Sequence, residues 1–384
     1  MDKLSFLNGI AMMAVFVSLL LAFFLLTVKT KNKLANRLFA WFLILTAFDL
    51  SGFFIYDYIY NYLNFEILRW TACLLIMPLF YLYVLAVCYT DFRLKPKHLL
   101  HTIPFLIINL VLTPRFYLSN GTAKEHLFEH HNQMFEMYFF QVLIEVQYLF
   151  YIISVFLILK KYKEIYLENY TNPSTSTYKW LFQMTVVFFT AHTFVVFKNL
   201  LRYTNYNEVF LWANIIVGMV AFFITCWFVL KALNYPELFR GIDSKLLLTK
   251  DIINKPEIDT NVTESKNNQD IIITDQIALL KKYMTDQEPY LDPSLTIQEL
   301  ANQINIPVRD LSVLINHHMN QHFFDFVNEY RIQKAMNILK NQSKSHLTIL
   351  EILYEVGFNS KSSFNTSFKK YTELTPTAYR NSSL

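Results

Sequence analysis

Glycine is scarce in this chain, with six in 384 residues. Glycine is the residue that lets backbone approach a phosphate closely, so a chain this poor in it holds no glycine-rich nucleotide loop. No kinase signature, GxSxG elbow or nucleophile–base constellation occurs either. Cysteine is equally sparse: Cys73, Cys88 and Cys226 all fall inside apolar runs, and the loops between those runs hold none. No disulfide framework can be read from them. Neither catalysis nor a cofactor is expected.

What the chain has in excess is apolar side chain, 54% of residues with 17% aromatic, more than a soluble protein of this length carries. The excess lies before about residue 232, in seven runs long enough to span a bilayer: roughly 8–28, 37–59, 67–90, 99–118, 136–159, 180–202 and 209–231. The fourth carries Pro104 and Pro114 near its ends, which membrane helices tolerate. The first run has one preceding lysine and no small-x-small cleavage site, so it reads as a retained span. Alternate loops hold eleven Lys and Arg (Lys29, Lys31, Lys33, Arg37; Arg93, Lys95, Lys97; Lys160, Lys161, Lys163, Lys179) against five in the opposite set. Such residues are retained on the cytoplasmic side, which puts the N-terminus outside and, after seven spans, the C-terminus inside.

Ionisable residues inside spans are costly, about 2.5–3.5 kcal/mol each at mid-bilayer, and so mark function or internal pairing. Asp49, Asp57, Glu145, His192 and Lys198 are of this kind. Glu145, His192 and Asp49 are the candidates for sensing a small-molecule or envelope signal; the alternative is that they pair within the bundle and fix its packing. The loop after the fourth run places His126 and His130 four apart, a spacing that suits two metal ligands on one helix face but is weak on its own, because loop histidines are usually solvated.

From residue 234 the composition turns polar. Residues 234–270 read as a juxtamembrane segment and flexible linker, whose last 22 residues span about 26 Å as a random coil. Residues 271–384 follow a helical pattern with an internal near-repeat at an offset of 52. Thr296-Ile-Gln-Glu299 is a capping box opening IQELANQI. Asn305 ends that helix, Pro307 opens the next, and Leu311, Leu314 and Ile315 are its buried face. Ile349, Ile352, Val356 and Gly357 repeat the plan. Asn359 or Ser360 then caps a helix with Phe364 and Phe368 on its apolar side, and Thr375-Pro376 starts a last short one.

Gly357-Phe358, Ser363-Phe364, Phe368-Lys369-Lys370 and Thr375-Pro376 with Tyr379-Arg380 resemble the closing signature of the AraC/XylS family of bacterial transcription regulators. With Asn328-Glu329-Tyr330-Arg331-Ile332, the resemblance covers about a hundred residues. It implies two helix-turn-helix units, about 296–318 and 348–371, on a connecting helix of about 322–340, with both recognition helices in adjacent segments of a major groove. Three positions depart from the family pattern. Leu353 stands for the usual alanine, which predicts looser packing of the second turn, while Asn320 and Glu373 stand for usual glycines.

Residues 271–330 carry three Lys/Arg against eight Asp/Glu, and residues 331–384 eight against three. Phosphate contact is therefore expected from Lys361, Lys369 and Lys370. Base reading falls to Arg309, Ser312, Val313 and Asn316 in the first unit and to Ser362, Asn365 and Thr366 in the second; Arg309 otherwise pairs with neighbouring acids. The expected fold is all-α: a seven-helix membrane bundle (1–233), the linker, and a soluble double helix-turn-helix domain (271–384). The expected function is a membrane-tethered regulator of transcription. Its partners would be double-stranded DNA, the lipid bilayer, an unidentified signal and a second copy in a homodimer. The rival is a transporter or lipid-modifying enzyme with an autoregulatory tail.

Overall fold

The computed structural model describes residues 3–28, 33–59, 62–171, 175–201, 206–234 and 266–382. All regular elements among them are helical. They divide into two compact units, Met1–Lys160 with Thr175–Ser244, and Lys161–Ser174 with Lys245–Leu384.

The first unit holds α1 (Lys3–Thr27), α2 (Lys33–Leu50), α3 (Gly52–Ile59), α4 (Leu63–Ala72), α5 (Ile76–Cys88), α6 (Ile103–Leu112), α7 (Gly121–Glu129), α8 (Phe135–Asn169) as far as Lys160, α9 (Thr175–Leu201) and α10 (Asn207–Asn234). Seven stretches built from these are long and apolar enough to cross a membrane, among them Ser5–Thr27, Pro96–Tyr117 and Glu208–Phe228. They coincide with the seven runs read from sequence. α1 packs on α2 and α10, and α2 also packs on α5. Between them lies an aromatic core in which Phe39 stacks on Tyr83 at 4.8 Å and Phe80 meets Phe188 edge-on at 4.8 Å. Large apolar side chains such as Phe16, Phe23 and Phe223 point outward. Large apolar side chains so exposed suit a lipid surrounding.

Proline explains two irregular stretches. Pro96–Tyr117 is a 3-10 turn, the ten-residue α6 and a π turn, with Pro104 and Pro114 each at the start of a segment. In the third stretch a 3-10 turn, Cys73–Leu75, separates α4 from α5. Pro78 has no N–H, so the Leu74 carbonyl four residues earlier loses its helical donor. The buried side chain of Gln147 donates to it instead, at 2.8 Å.

The second unit contains α11 (Lys266–Gln287), α12 (Ile297–Ile304), α13 (Val308–Val313), α14 (Phe323–Lys340), α15 (Ile349–Glu355), α16 (Lys361–Thr372) and α17 (Pro376–Ser382). α11 begins at Lys266, so the last five residues expected as linker are helical; a polar first turn is no obstacle to an N-terminus that leaves its N–H groups to water. The rest of that linker lies outside the described residues. Two cores form, one around Leu300, Leu311, Ile315 and Phe323, the other around Ile352, Val356, Phe364 and Phe368. α14 contributes to both, with Phe323, Phe326 and Val327 in the first and Ile332, Ala335, Ile338 and Leu339 in the second.

Candidate nucleic-acid interface

Each half of the second unit is a capped helix, a turn and a second helix. In the first half the Thr296 hydroxyl accepts from the Glu299 N–H at 3.2 Å, and the Glu299 carboxylate accepts from the Thr296 N–H at 2.7 Å. Asn305 then takes φ +56°. α13 follows and its last turn widens into a π turn, Leu314–His318. In the second half Thr348 and Glu351 form an identical box, Gly357 takes φ +89°, and the Ser360 hydroxyl accepts from the Ser363 N–H to start α16. Asn320 and Glu373 adopt φ +51° and +61°, the left-handed turns that the resemblance assigns to glycine. Leu353 is fully buried, so the second turn is filled where looser packing was expected.

Arg309, exposed Asp310, half-buried Val313 and exposed His317 lie on the open side of α13 and its π turn. Arg309 makes no ion pair among the described residues. Two expected base readers are not free. Ser312 is 4% exposed because it follows Leu311 onto the inward side, and its Oγ accepts from Asn316 Nδ2 at 3.1 Å. Asn316 Oδ1 in turn accepts from the Phe323 N–H at 3.2 Å, capping α14. Burial removes Ser312 from the readable face, and internal bonds tie Asn316 at both ends.

On α16, exposed Ser362, Thr366 and Lys369 share a stripe, with Asn365 half-buried beside it and Lys361 exposed at the start. Thr366 Oγ1 donates to the Ser362 carbonyl at 2.8 Å, which leaves its lone pairs free to accept. Lys361 and Lys369 have no ion pair among the described residues. Lys370 does, donating to Asp325 on α14 at 2.6 Å, so it reaches a phosphate only after that pair opens.

Residues 300–382 match the family model described as a helix-turn-helix domain. This region is an AraC-type helix-turn-helix domain. Two curated relatives match part of the chain. The "Uncharacterized HTH-type transcriptional regulator YdeC" of Bacillus subtilis is 27% identical over 86 residues, covering 22% of this chain and 28% of that protein. The "Uncharacterized response regulatory protein SERP2406" of Staphylococcus epidermidis is 29% identical over 89 residues, covering 23% and 34%. This chain therefore matches about a third or less of either relative's length. No solved structure matches.

The centre of the AraC-type domain is a residue that sequence reasoning passed over. Arg331 is completely buried. Its guanidinium donates to the carbonyls of Tyr290 at 2.7 Å and Asp292 at 2.8 Å and to Asn328 Oδ1 at 3.2 Å, and it lies 5.5 Å from the Phe358 ring. Burial lowers its pKa to about 10, against the opposing attraction of Asp292, so it stays charged at neutral pH. Thr171 of the same unit accepts from it at 3.3 Å and donates to the Leu295 carbonyl at 2.8 Å. The signal was legible as an arginine in step with Val327 and Ala335 on the apolar side of α14.

Among the candidates in the first unit, Glu145 and His192 come together: His192 Nε2 lies 2.8 Å from Glu145, its ring stacks on Tyr148, and Gln141 donates to Glu145 at 2.9 Å. Asp49 sits apart from them, near a pair that sequence reasoning missed. Glu66 and Arg69 are buried and joined through two hydrogen bonds, one of 2.9 Å from Nε, and Trp70 Nε1 donates to Glu66 at 2.8 Å. The spacing Glu66-x-x-Arg69 on one helix face was the available clue. Lys198 lies 5.9 Å from the Phe210 ring, and the Asp57 side chain is outside the described residues. His126 and His130 stack with ring centres 4.4 Å apart, and His130 Nδ1 lies 2.9 Å from the His126 carbonyl. No group of three metal-ligating side chains occurs among the described residues.

Proposed function

We propose that this chain is a one-component transcription regulator held in a bacterial cytoplasmic membrane by its seven apolar stretches, with its AraC-type domain in the cytoplasm. The observation that carries the reading is the joining, in one chain, of seven membrane-length helices to a double helix-turn-helix domain. The excess of eleven Lys and Arg over five in alternate loops supports an outside N-terminus, and the odd number of spans then places the DNA reader on the side where DNA is.

The two recognition helices divide the work. Arg309 reads a guanine edge bidentately, and Val313 contacts a thymine methyl. Ser362, Asn365 and Thr366 read the second groove segment, while Lys361 and Lys369 neutralise phosphates. α14, 18 residues and therefore about 27 Å long, holds the two units at a fixed separation. A signal acting near Asp49, or through the Glu145–His192 pair, shifts the packing or dimer state of the bundle and changes how two domains meet a paired promoter site.

The test uses the full chain in lipid nanodiscs against total genomic fragments across a salt series. Discrete promoter fragments should be retained, with affinity falling steeply as salt rises. Arg309→Ala should relax preference at one base position by about 1–3 kcal/mol, and Lys369→Ala should weaken all sites alike and lower the salt slope by about one. Retention of no discrete fragment at low salt would refute the reading.

A further inference from the structure

A cavity of about 370 Å³ opens in the first unit beside the buried Glu66–Arg69 pair, lined among others by Asp49, Phe53, Trp70, Tyr138 and Phe140. Its volume lies at the low end of the range for small-molecule sites, room for one compact ligand. Besides His131, two charged side chains line it, and they differ in kind. Arg69 is balanced: Nε and Nη2 donate to Glu66, and Nη1 donates to the Asp49 carbonyl at 2.6 Å. Gly52 makes room for this arrangement, since a Cβ there would stand 2.2 Å from the guanidinium carbon. The Asp49 carboxylate is held less tightly. Its side chain is 46% exposed, its one ion pair among the described residues is with Arg69 Nη1 at 3.9 Å, Lys198 also attracts it, and it accepts no hydrogen bond among those residues. Aromatic side chains line the same cavity. Trp70 is fixed as a wall because its N–H is held by Glu66.

A carboxylate held by one long ion pair, whose arginine partner is already bound through two hydrogen bonds by Glu66, in a cavity lined by aromatic side chains, favours a cation that carries an apolar body. We propose that this cavity is a binding site for a small organic amine, with Asp49 as the counter-ion and the rings enclosing the apolar part. Gln141, which also lines the cavity and donates to Glu145, joins the site to the Glu145–His192 pair. The inference rests on the membrane reading above for one point only, that the lining helix ends face outward, where an external amine would arrive.

The test is equilibrium binding to the full chain in lipid nanodiscs with three probes of one shape: 2-phenylethylamine, 2-phenylethanol and phenylacetate. The amine should bind at least about ten-fold more tightly than the alcohol or the acid, as a charge-assisted contact requires. Asp49→Asn should remove that preference, and Glu208→Gln, a charge removal elsewhere in the same unit, should keep it. No amine binding by the wild type, equal binding of all three probes, or an undiminished preference in Asp49→Asn would each overturn the proposal. Because the three-probe comparison is made on the wild type, a misfolded variant does not blur the outcome. DNA retention by the same nanodiscs is measured alongside, so loss of the regulator reading and loss of the amine site are separate results.

Discussion

Gly357→Ala is the substitution to which the AraC-type domain should be most sensitive for its size. Two costs add. At φ +89° any side chain meets the steric penalty of the left-handed region, about 1–2 kcal/mol. The new Cβ would also stand 2.6 Å from the Tyr290 carbonyl oxygen and 2.8 Å from that of Leu291. These are backbone atoms and cannot swing aside, so the turn must move, at an overpacking cost of about 1–3 kcal/mol. The sum is about 2–5 kcal/mol against a domain stability of about 5–15 kcal/mol. Asn305→Ala is the matched control. It stands at the equivalent turn of the first half with φ +56°, where a Cβ is already present, so it loses only the tolerance of asparagine for that region. Native-state hydrogen exchange on peptides from residues 323–340, in the full chain in nanodiscs, reads this domain without melting the bundle. Gly357→Ala should speed exchange about 30-fold or more, and clearly beyond Asn305→Ala. Equal effects would show that neither the left-handed backbone nor the close approach of the Tyr290–Leu291 backbone makes Gly357 special.

Four further outcomes are expected. Glu373→Gly, which relieves φ +61°, should stabilise the domain by about 1 kcal/mol in the same exchange measurement. Arg331→Met should destabilise it by about 2–4 kcal/mol, because two buried carbonyls lose their donor. Lys370→Ala should weaken DNA binding less than Lys369→Ala in a salt-series titration, since Lys370 must first leave Asp325. Gln147→Leu should lower the thermal stability of the bundle by leaving the Leu74 carbonyl unpaired, and adding Pro78→Ala, which restores a helical N–H to that carbonyl, should recover most of the loss.

The helical architecture was legible because its signals are periodic. Seven long apolar runs have one reading, and Thr296, Asn305, Gly357 and Ser360 each sit where their backbone chemistry fixes a helix boundary. Side-chain direction within a short helix was less legible. Ser312 follows Leu311 onto the buried side of α13, and Asn316, inside the π turn that follows Val313, is turned toward the start of α14 and caps it. Pairing across the bundle was not legible at all. Nothing local joins Gln147 to Leu74, and nothing local brings the Asp49 carbonyl to the Arg69 guanidinium.

The double helix-turn-helix is one cooperative body for a reason visible in its seam. Each unit alone is too short to bury a self-sufficient core, so both depend on α14. The turn Tyr290–Asp292 lies where the two halves meet. Its carbonyls receive the Arg331 guanidinium from one side and the Cβ-less face of Gly357 from the other, and Arg331 also lies against Phe358 of the second half. Any change that displaces this turn alters the angle between α13 and α16, and with it the fit to two successive groove segments. Gly357→Ala and Arg331→Met strain the same atoms, so their effects should fall short of additive: once one has released the turn, the second has less to disturb. A double-mutant cycle that closes to within about 0.5 kcal/mol would mean that the two contacts act independently and that the relative orientation of the recognition helices is set by α14 alone.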